Sequence, residues 1–208
     1  MTANNVAVKT FRELEKLGVR TTEDYFKKLL EILAQTVTTW HSGSRVPLND
    51  AIGSLVGSLL ENRRKRKKIL VVGNGGSAAI AIHTLFDYAN AGGLNTLDFN
   101  SPAMLTCMAN DYGYENVFAR PVELFAKEDD ILFAISSSGK SPNILKACEA
   151  ARFRECYIVT FSGFNPDNPL RRLGDVNFYV PSNHYGFVEI AHQALVHCIL
   201  DFFVERKN

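Results

Sequence analysis

The first third of the chain places apolar residues at helical spacing. Between Thr21 and about Ser42, in TTEDYFKKLLEILAQTVTTWHS, the residues Phe26, Leu29, Leu30 and Leu33 fall at the i, i+3, i+4 and i+7 positions. A threonine that can cap and two acids in the first turn precede them, so the pattern predicts an amphipathic helix. A second helix is expected from near Asn49, whose side chain can cap it, through Ile52, Leu55, Val56, Leu59 and Leu60 into a basic tail. Both helices are expected before any strand.

After Lys68 the pattern changes to short apolar runs separated by helical stretches: ILVV, GLNTLDF, DILFAIS, CYIVTF and VNFYV. Runs without polar alternation read as strands buried on both faces, and helices between them imply a parallel α/β sheet. Phe187 to Glu205 reads as a long terminal helix. The chain contains no internal repeat and no low-complexity linker. It divides into an N-terminal helical extension, residues 1–66, and an α/β domain, residues 67–208, forming one compact unit.

Composition narrows the class. At 208 residues, 46% hydrophobic and 22% charged, the chain suits one soluble domain with an added arm. A formal net charge of +1 points to neither a nucleic-acid nor a membrane partner. No uninterrupted apolar run reaches the ~18 residues expected of a spanning helix. The first residues lack the basic start and apolar stretch of a signal peptide, which makes a cytoplasmic location the expectation. Cys107, Cys148, Cys156 and Cys198 form no C-x-x-C pair and read as buried reduced thiols rather than a zinc knot. The run RRKRKK, Arg63 to Lys68, reads as solvated cations at a helix C-terminus, where the dipole favours them.

Two loops carry the candidate chemistry. Gly73, Gly75 and Ala78 in VVGNGGSAA satisfy the loose dinucleotide fingerprint G-x-G-x-x-G/A, with Asp98 available as a ribose-binding acid. However, any strand-to-helix turn that brings backbone close to a ligand wants glycine. About a third of the chain precedes this turn, and the dinucleotide reading ranks second. In ILFAISSSGKSPN a buried strand ends in Ser136, Ser137, Ser138, Gly139 and Ser141 before Pro142 opens a helix. Hydroxyls and free backbone N–H groups at a helix N-terminus make a phosphate site. It is not an ATP-binding P-loop, because the glycine that motif needs is Ala134. His83 and Asp87 are i and i+4 on the first loop's helix, and the last helix carries Glu189, His192, Gln193 and His197.

The landmarks GNGGSAAIAIH, CMANDYGYENVFAR, ISSSGKSPNILKA and EIAHQALVH, in that order, resemble the sugar isomerase (SIS) domain family, and within it the phosphoheptose isomerases. The resemblance covers nearly the whole chain from the second helix onward. It implies an α/β three-layer sandwich with a central, mainly parallel five-stranded sheet of flavodoxin-like (Rossmann-like) type behind N-terminal helices. The implied activity interconverts sedoheptulose 7-phosphate and D-glycero-D-manno-heptose 7-phosphate through an enediol. A non-catalytic phosphosugar-binding or replication-initiator-associating SIS protein is the alternative.

Carried over by position, Asn74, Gly75, Ser77, Asp111, Ser136, Ser137, Ser138, Ser141 and Glu189 are the implied substrate contacts. Asp87 and His197 are the implied catalytic pair, and His83, Asp87, Glu189 and His197 the implied ligands of one divalent metal per subunit, zinc by the donor set, with no nucleotide cofactor. Asp87 stands where the family has Glu, Glu189 where it has Gln, and Ala91 where it has a substrate-contacting Arg. On this reading Asp87 removes a proton beside the carbonyl and His197 returns one to the neighbouring carbon. Glu189 and His197 are separated by about 12 Å along one helix. One metal is then barely reachable by both, and the expectation is a site assembled between subunits, as the family's homotetramers imply.

Overall fold

The computed structural model describes residues 14–207; the reading of the extreme N-terminus, residues 1–13, lies outside the described residues. In chain order the elements are α1 (Thr22–Ala34), β1 (Val37–Trp40), β2 (Arg45–Val46), α2 (Leu48–Arg64), β3 (Lys68–Gly73), α3 (Gly76–Asn90), β4 (Asn95–Asp98), α4 (Pro102–Tyr112), α5 (Ala119–Phe125), β5 (Ile131–Ser136), α6 (Pro142–Phe153), β6 (Tyr157–Ser162), β7 (Val176–Tyr179) and α7 (Tyr185–Arg206). Short 3-10 turns cover Tyr114–Asn116 and Pro169–Arg172.

Thr21 and Asp24 close a capping box at the start of α1. The helix then stops at Ala34, earlier than its pattern suggested. Val37, Thr38, Thr39 and Trp40 are β-branched or aromatic, suit a pleated surface, and pair antiparallel with β7 along the register Val37↔Tyr179 to Trp40↔Val176. Strands therefore interrupt the N-terminal helices, and among the described residues the sheet has seven strands rather than five, in the order β2-β1-β7-β6-β5-β3-β4. The five expected runs form its parallel part, and the added hairpin is antiparallel. Asn49 is not the cap of α2: it lies inside the first turn behind Pro47, and no side chain caps that end.

Residues of the central strands alternate between two cores. Ile69, Val71, Phe133, Ile135 and Phe161 face α2, α3 and α7, whereas Leu70, Val72, Leu132, Ala134 and Ile158 face α5 and α6. Every residue of β5 is buried, which is why its text shows no polar alternation. β4, at the sheet edge, is only partly covered. α7 is long and apolar enough by length and hydropathy to cross a membrane. Its apolarity is accounted for by the core, since Phe187, Val188, Ala191, Ile199 and Phe203 are fully buried there. Of the four cysteines, Cys148 and Cys156 are buried, whereas Cys107 is exposed and Cys198 half-buried, correcting the expectation for the last two.

The parallel order β4-β3-β5-β6-β7 changes direction at β3: the chain moves to one side for β4 and returns to the other for β5. Ligands bind outside the carboxyl ends of strands at such a switch point. Here those ends are the glycine turn after β3 and the serine loop after β5, brought side by side by the pairing Gly73↔Ile135.

Candidate functional site

The glycine turn is shaped by close approaches. Gly75, at the N-cap of α3, has φ +55° and ψ −122°, a conformation open to glycine and scarcely to other residues. A Cβ on Gly73 would lie 2.4 Å from the Ser77 carbonyl oxygen, and one on Gly76 would lie 2.5 Å from a carboxylate oxygen of Glu189 on α7. Backbone conformation at Gly75 and close packing at Gly73 and Gly76 thus explain the glycines. Asp98, the candidate ribose acid, is engaged locally, accepting from the backbone N–H and the side-chain amide of Asn100 at 2.8 and 2.9 Å.

Together the two loops and the start of α7 enclose a cleft of about 270 Å³. Of the expected substrate contacts, Asn74, Gly75, Ser77, Ser136, Ser137, Ser138, Ser141 and Glu189 line it; Asp111 does not, lying exposed on α4 beside Cys107. The Ser136 and Ser141 hydroxyls are 3.3 Å apart, and the Ser137 hydroxyl is buried without a partner among the described residues. A buried hydroxyl without a partner costs free energy that an incoming acceptor can recover. α6 begins here with Pro142 in its first turn and no side-chain cap, leaving first-turn N–H groups without intrahelical partners. Among the described residues, Glu189 is the sole charged side chain lining the cleft.

Three further residues shape this site and were not singled out in the sequence. Asn143 and Asn74 exchange reciprocal amide hydrogen bonds, both 2.9 Å, which clasp the two loops together. The Tyr114 hydroxyl also donates to Asn74 Oδ1 at 3.2 Å, so the Asn74 side chain is engaged by protein groups. Tyr185 forms part of the cleft wall. Asn143 directly follows the helix-opening Pro142, a position that marks it as near the phosphate loop; nothing local marked Tyr114 or Tyr185.

A second cluster sits further along the same two helices. His83 Nε2 lies 3.0 Å and His197 Nδ1 3.7 Å from the same Asp87 oxygen, and the imidazole rings are 5.1 Å apart. Ligand atoms of these three residues all lie within 4.8 Å of one another. Two imidazoles and a carboxylate, half-exposed and with room for a solvent or substrate ligand, match the donor set of an open catalytic metal site. The Tyr88 hydroxyl, donating to the Val196 carbonyl at 3.0 Å, fixes the helix register beside Asp87 and His197. Glu189 does not join this cluster in the protomer. It faces Gly76 in the serine cleft, eight residues from His197, which about 1.5 Å of rise per residue turns into roughly 12 Å.

A larger cavity, about 560 Å³, lies at the opposite, amino ends of the central strands, and four of its charged lining residues pair with one another, Arg152 with Asp175 at 2.9 Å and Lys65 with Asp129 at 3.0 Å.

Residues 24–163 match the SIS domain. The chain is 35% identical over 163 residues to a phosphoheptose isomerase of Helicobacter hepaticus, covering 74% of this chain and 81% of that one. It is 32% identical to a phosphoheptose isomerase of Azoarcus, covering 86% and 92%. Its fold superposes on a phosphoheptose isomerase from Francisella tularensis with a TM-score of 0.76 at 27% identity, over 93% of this chain and 99% of that one. With a strand order that opens a crevice at β3 and β5 and relatives matched along most of their length, the chain belongs to the SIS domain family.

Proposed function

We propose that this chain is an aldose–ketose isomerase of phosphorylated sugars, interconverting sedoheptulose 7-phosphate and D-glycero-D-manno-heptose 7-phosphate. The observation that carries this reading is the pairing of a serine-lined cleft, whose one charged wall residue is Glu189, with a His–Asp–His cluster further along α3 and α7, roughly 12 Å away along α7. A separation of that size suits a long sugar phosphate, its phosphate on the serine loop and its carbonyl end toward the cluster, better than a triose phosphate. The relatives named phosphoheptose isomerase support the same substrate.

The serine hydroxyls and the α6 N-terminus hold the phosphate. Asp87 accepts the proton from the carbon beside the carbonyl, and His197 donates one to the neighbouring carbon, through an enediol; the roles reverse in the back reaction. His83, Asp87 and His197 are the residues that would hold a zinc ion, and such an ion supplies polarisation of the carbonyl. Glu189 is assigned to the sugar hydroxyls from its place in the cleft. Ile82, Phe86 and Ile190 are exposed large apolar residues on the two helices that carry the cluster. They suit a second copy of the chain, consistent with a homotetramer whose sites form between subunits and with a cytoplasmic enzyme.

The test is a coupled isomerase assay on sedoheptulose 7-phosphate, with and without zinc. Asp87→Ala and His197→Ala are expected each to lower kcat by about 10²–10⁴-fold. A wild type that binds the sugar phosphate without turning it over would make the chain a binding module instead.

A further inference from the structure

Behind the serine loop lies a buried polar network whose side chains do not line the cleft but which holds the loop from behind. Asn168, fully buried in the loop after β6, donates from Nδ2 to Ser162 Oγ at 3.2 Å, the Gly163 carbonyl at 3.2 Å and the Asn165 carbonyl at 2.8 Å, and accepts from the Arg171 N–H at 3.1 Å. Its Oδ1 packs so closely on Gly139, at the turn of the serine loop with φ +63°, that a Cβ there would lie 2.0 Å away. Backbone bonds complete the contact: Gly163 N–H to the Ser137 carbonyl at 3.0 Å and Leu170 N–H to the Gly139 carbonyl at 3.1 Å. From the other side His192, also fully buried and one turn beyond Glu189 on α7, donates from Nε2 to the Ser162 carbonyl at 3.2 Å.

We propose that Asn168 and His192, meeting at Ser162, are positioning residues that set the spacing between the serine loop and α7. The inference rests on the reading of the cleft as the phosphate end of an isomerase site. A group serving the phosphate alone should act on binding rather than on the proton transfers at Asp87 and His197.

The experiment measures kcat and KM for sedoheptulose 7-phosphate and the binding constant of inorganic phosphate by direct titration. In Asn168→Ala, KM and the phosphate constant are expected to rise together by about 10-fold or more with kcat within about 3-fold, as for a small misplacement of binding groups. If that variant is insoluble, Ser162→Ala, which removes the Oγ acceptor and leaves the carbonyl, should shift both constants in the same direction. His192→Leu should do likewise, and His192→Gln, which keeps an N–H near the Nε2 position, should restore them. Unchanged constants in soluble variants, a fall in kcat at constant KM, or a Gln variant no better than Leu would overturn the proposal. A wild type that binds phosphate without turnover removes the isomerase reading and leaves the phosphate constants as the test; one that binds no phosphate removes both.

Discussion

His192 differs in its environment from His83 and His197, which stand half-exposed beside Asp87. Burial without a charged partner lowers its pKa to about 4, the Ser162 carbonyl opposing this only in part. An unfolded chain takes up this proton near pH 6.5 while the folded chain stays neutral. The stability tied to His192 is therefore present above pH 6.5 and is lost as pH falls toward 4, at about 1.4 kcal/mol per pH unit. Urea unfolding at pH 7 and pH 5 should show the wild type losing about 2 kcal/mol more than His192→Gln over that interval; equal losses would mean that His192 titrates normally. Cys148 and Cys156 follow the same logic with opposite sign. Burial pushes their thiols up to about 12, so neither offers a thiolate at neutral pH. Residue identity was legible where chemistry needs a specific group: serines at a helix start, or a histidine and a carboxylate one turn apart. It was silent for Tyr114 and Tyr185, whose role depends on which distant segment each meets.

Among the elements, the turn after β3 separates two kinds of glycine. A side chain on Gly73 would strike the Ser77 backbone, which cannot move without unwinding the first turn of α3, whereas one on Gly76 would meet only the end of the Glu189 side chain. Gly73→Ala is expected to destabilise by about 1–3 kcal/mol in urea unfolding. Gly76→Ala should fold with little loss but raise KM by displacing the Glu189 carboxylate; the reverse ranking would show that the turn is built otherwise. Where the parallel strands meet the antiparallel hairpin, Asn177 is fully buried in β7, accepts from the Thr160 hydroxyl at 2.6 Å and the Gly174 N–H at 3.0 Å, and donates to the Thr39 carbonyl at 3.3 Å. Asn177→Ala leaves those groups unpaired and should cost about 1–3 kcal/mol, read as a lowered thermal midpoint. The first strand of the hairpin that Asn177 holds, Val37–Trp40, falls inside the span whose spacing predicts a helix, because the helical period of α1 runs on past Leu33. What ended the helix was an available sheet edge at β7, which no local pattern records.

For the whole molecule, α3 and α7 both start at the crevice and also carry the His–Asp–His cluster, so rigid elements join the serine cleft to that cluster. Zinc at about 100 times its dissociation constant would add about 2.7 kcal/mol to folding. For a chain of this size that corresponds to a rise of about 5–10 °C in Tm. Calorimetry with and without zinc should show this rise in the wild type and not in His83→Ala; a rise in both would place the ion elsewhere. The sequence by itself determined the strand segments, the helices between them, the serine loop at a helix start and the placement of His83 and Asp87 one turn apart, because each depends on residues within a turn or a strand of one another. Only the tertiary structure decided that His197 joins them while Glu189 turns to the cleft, that Asp111 stays outside it, and that Val37–Trp40 and Arg45–Val46 become strands. These outcomes depend on helix register and sheet edges, set by packing between segments far apart in the chain.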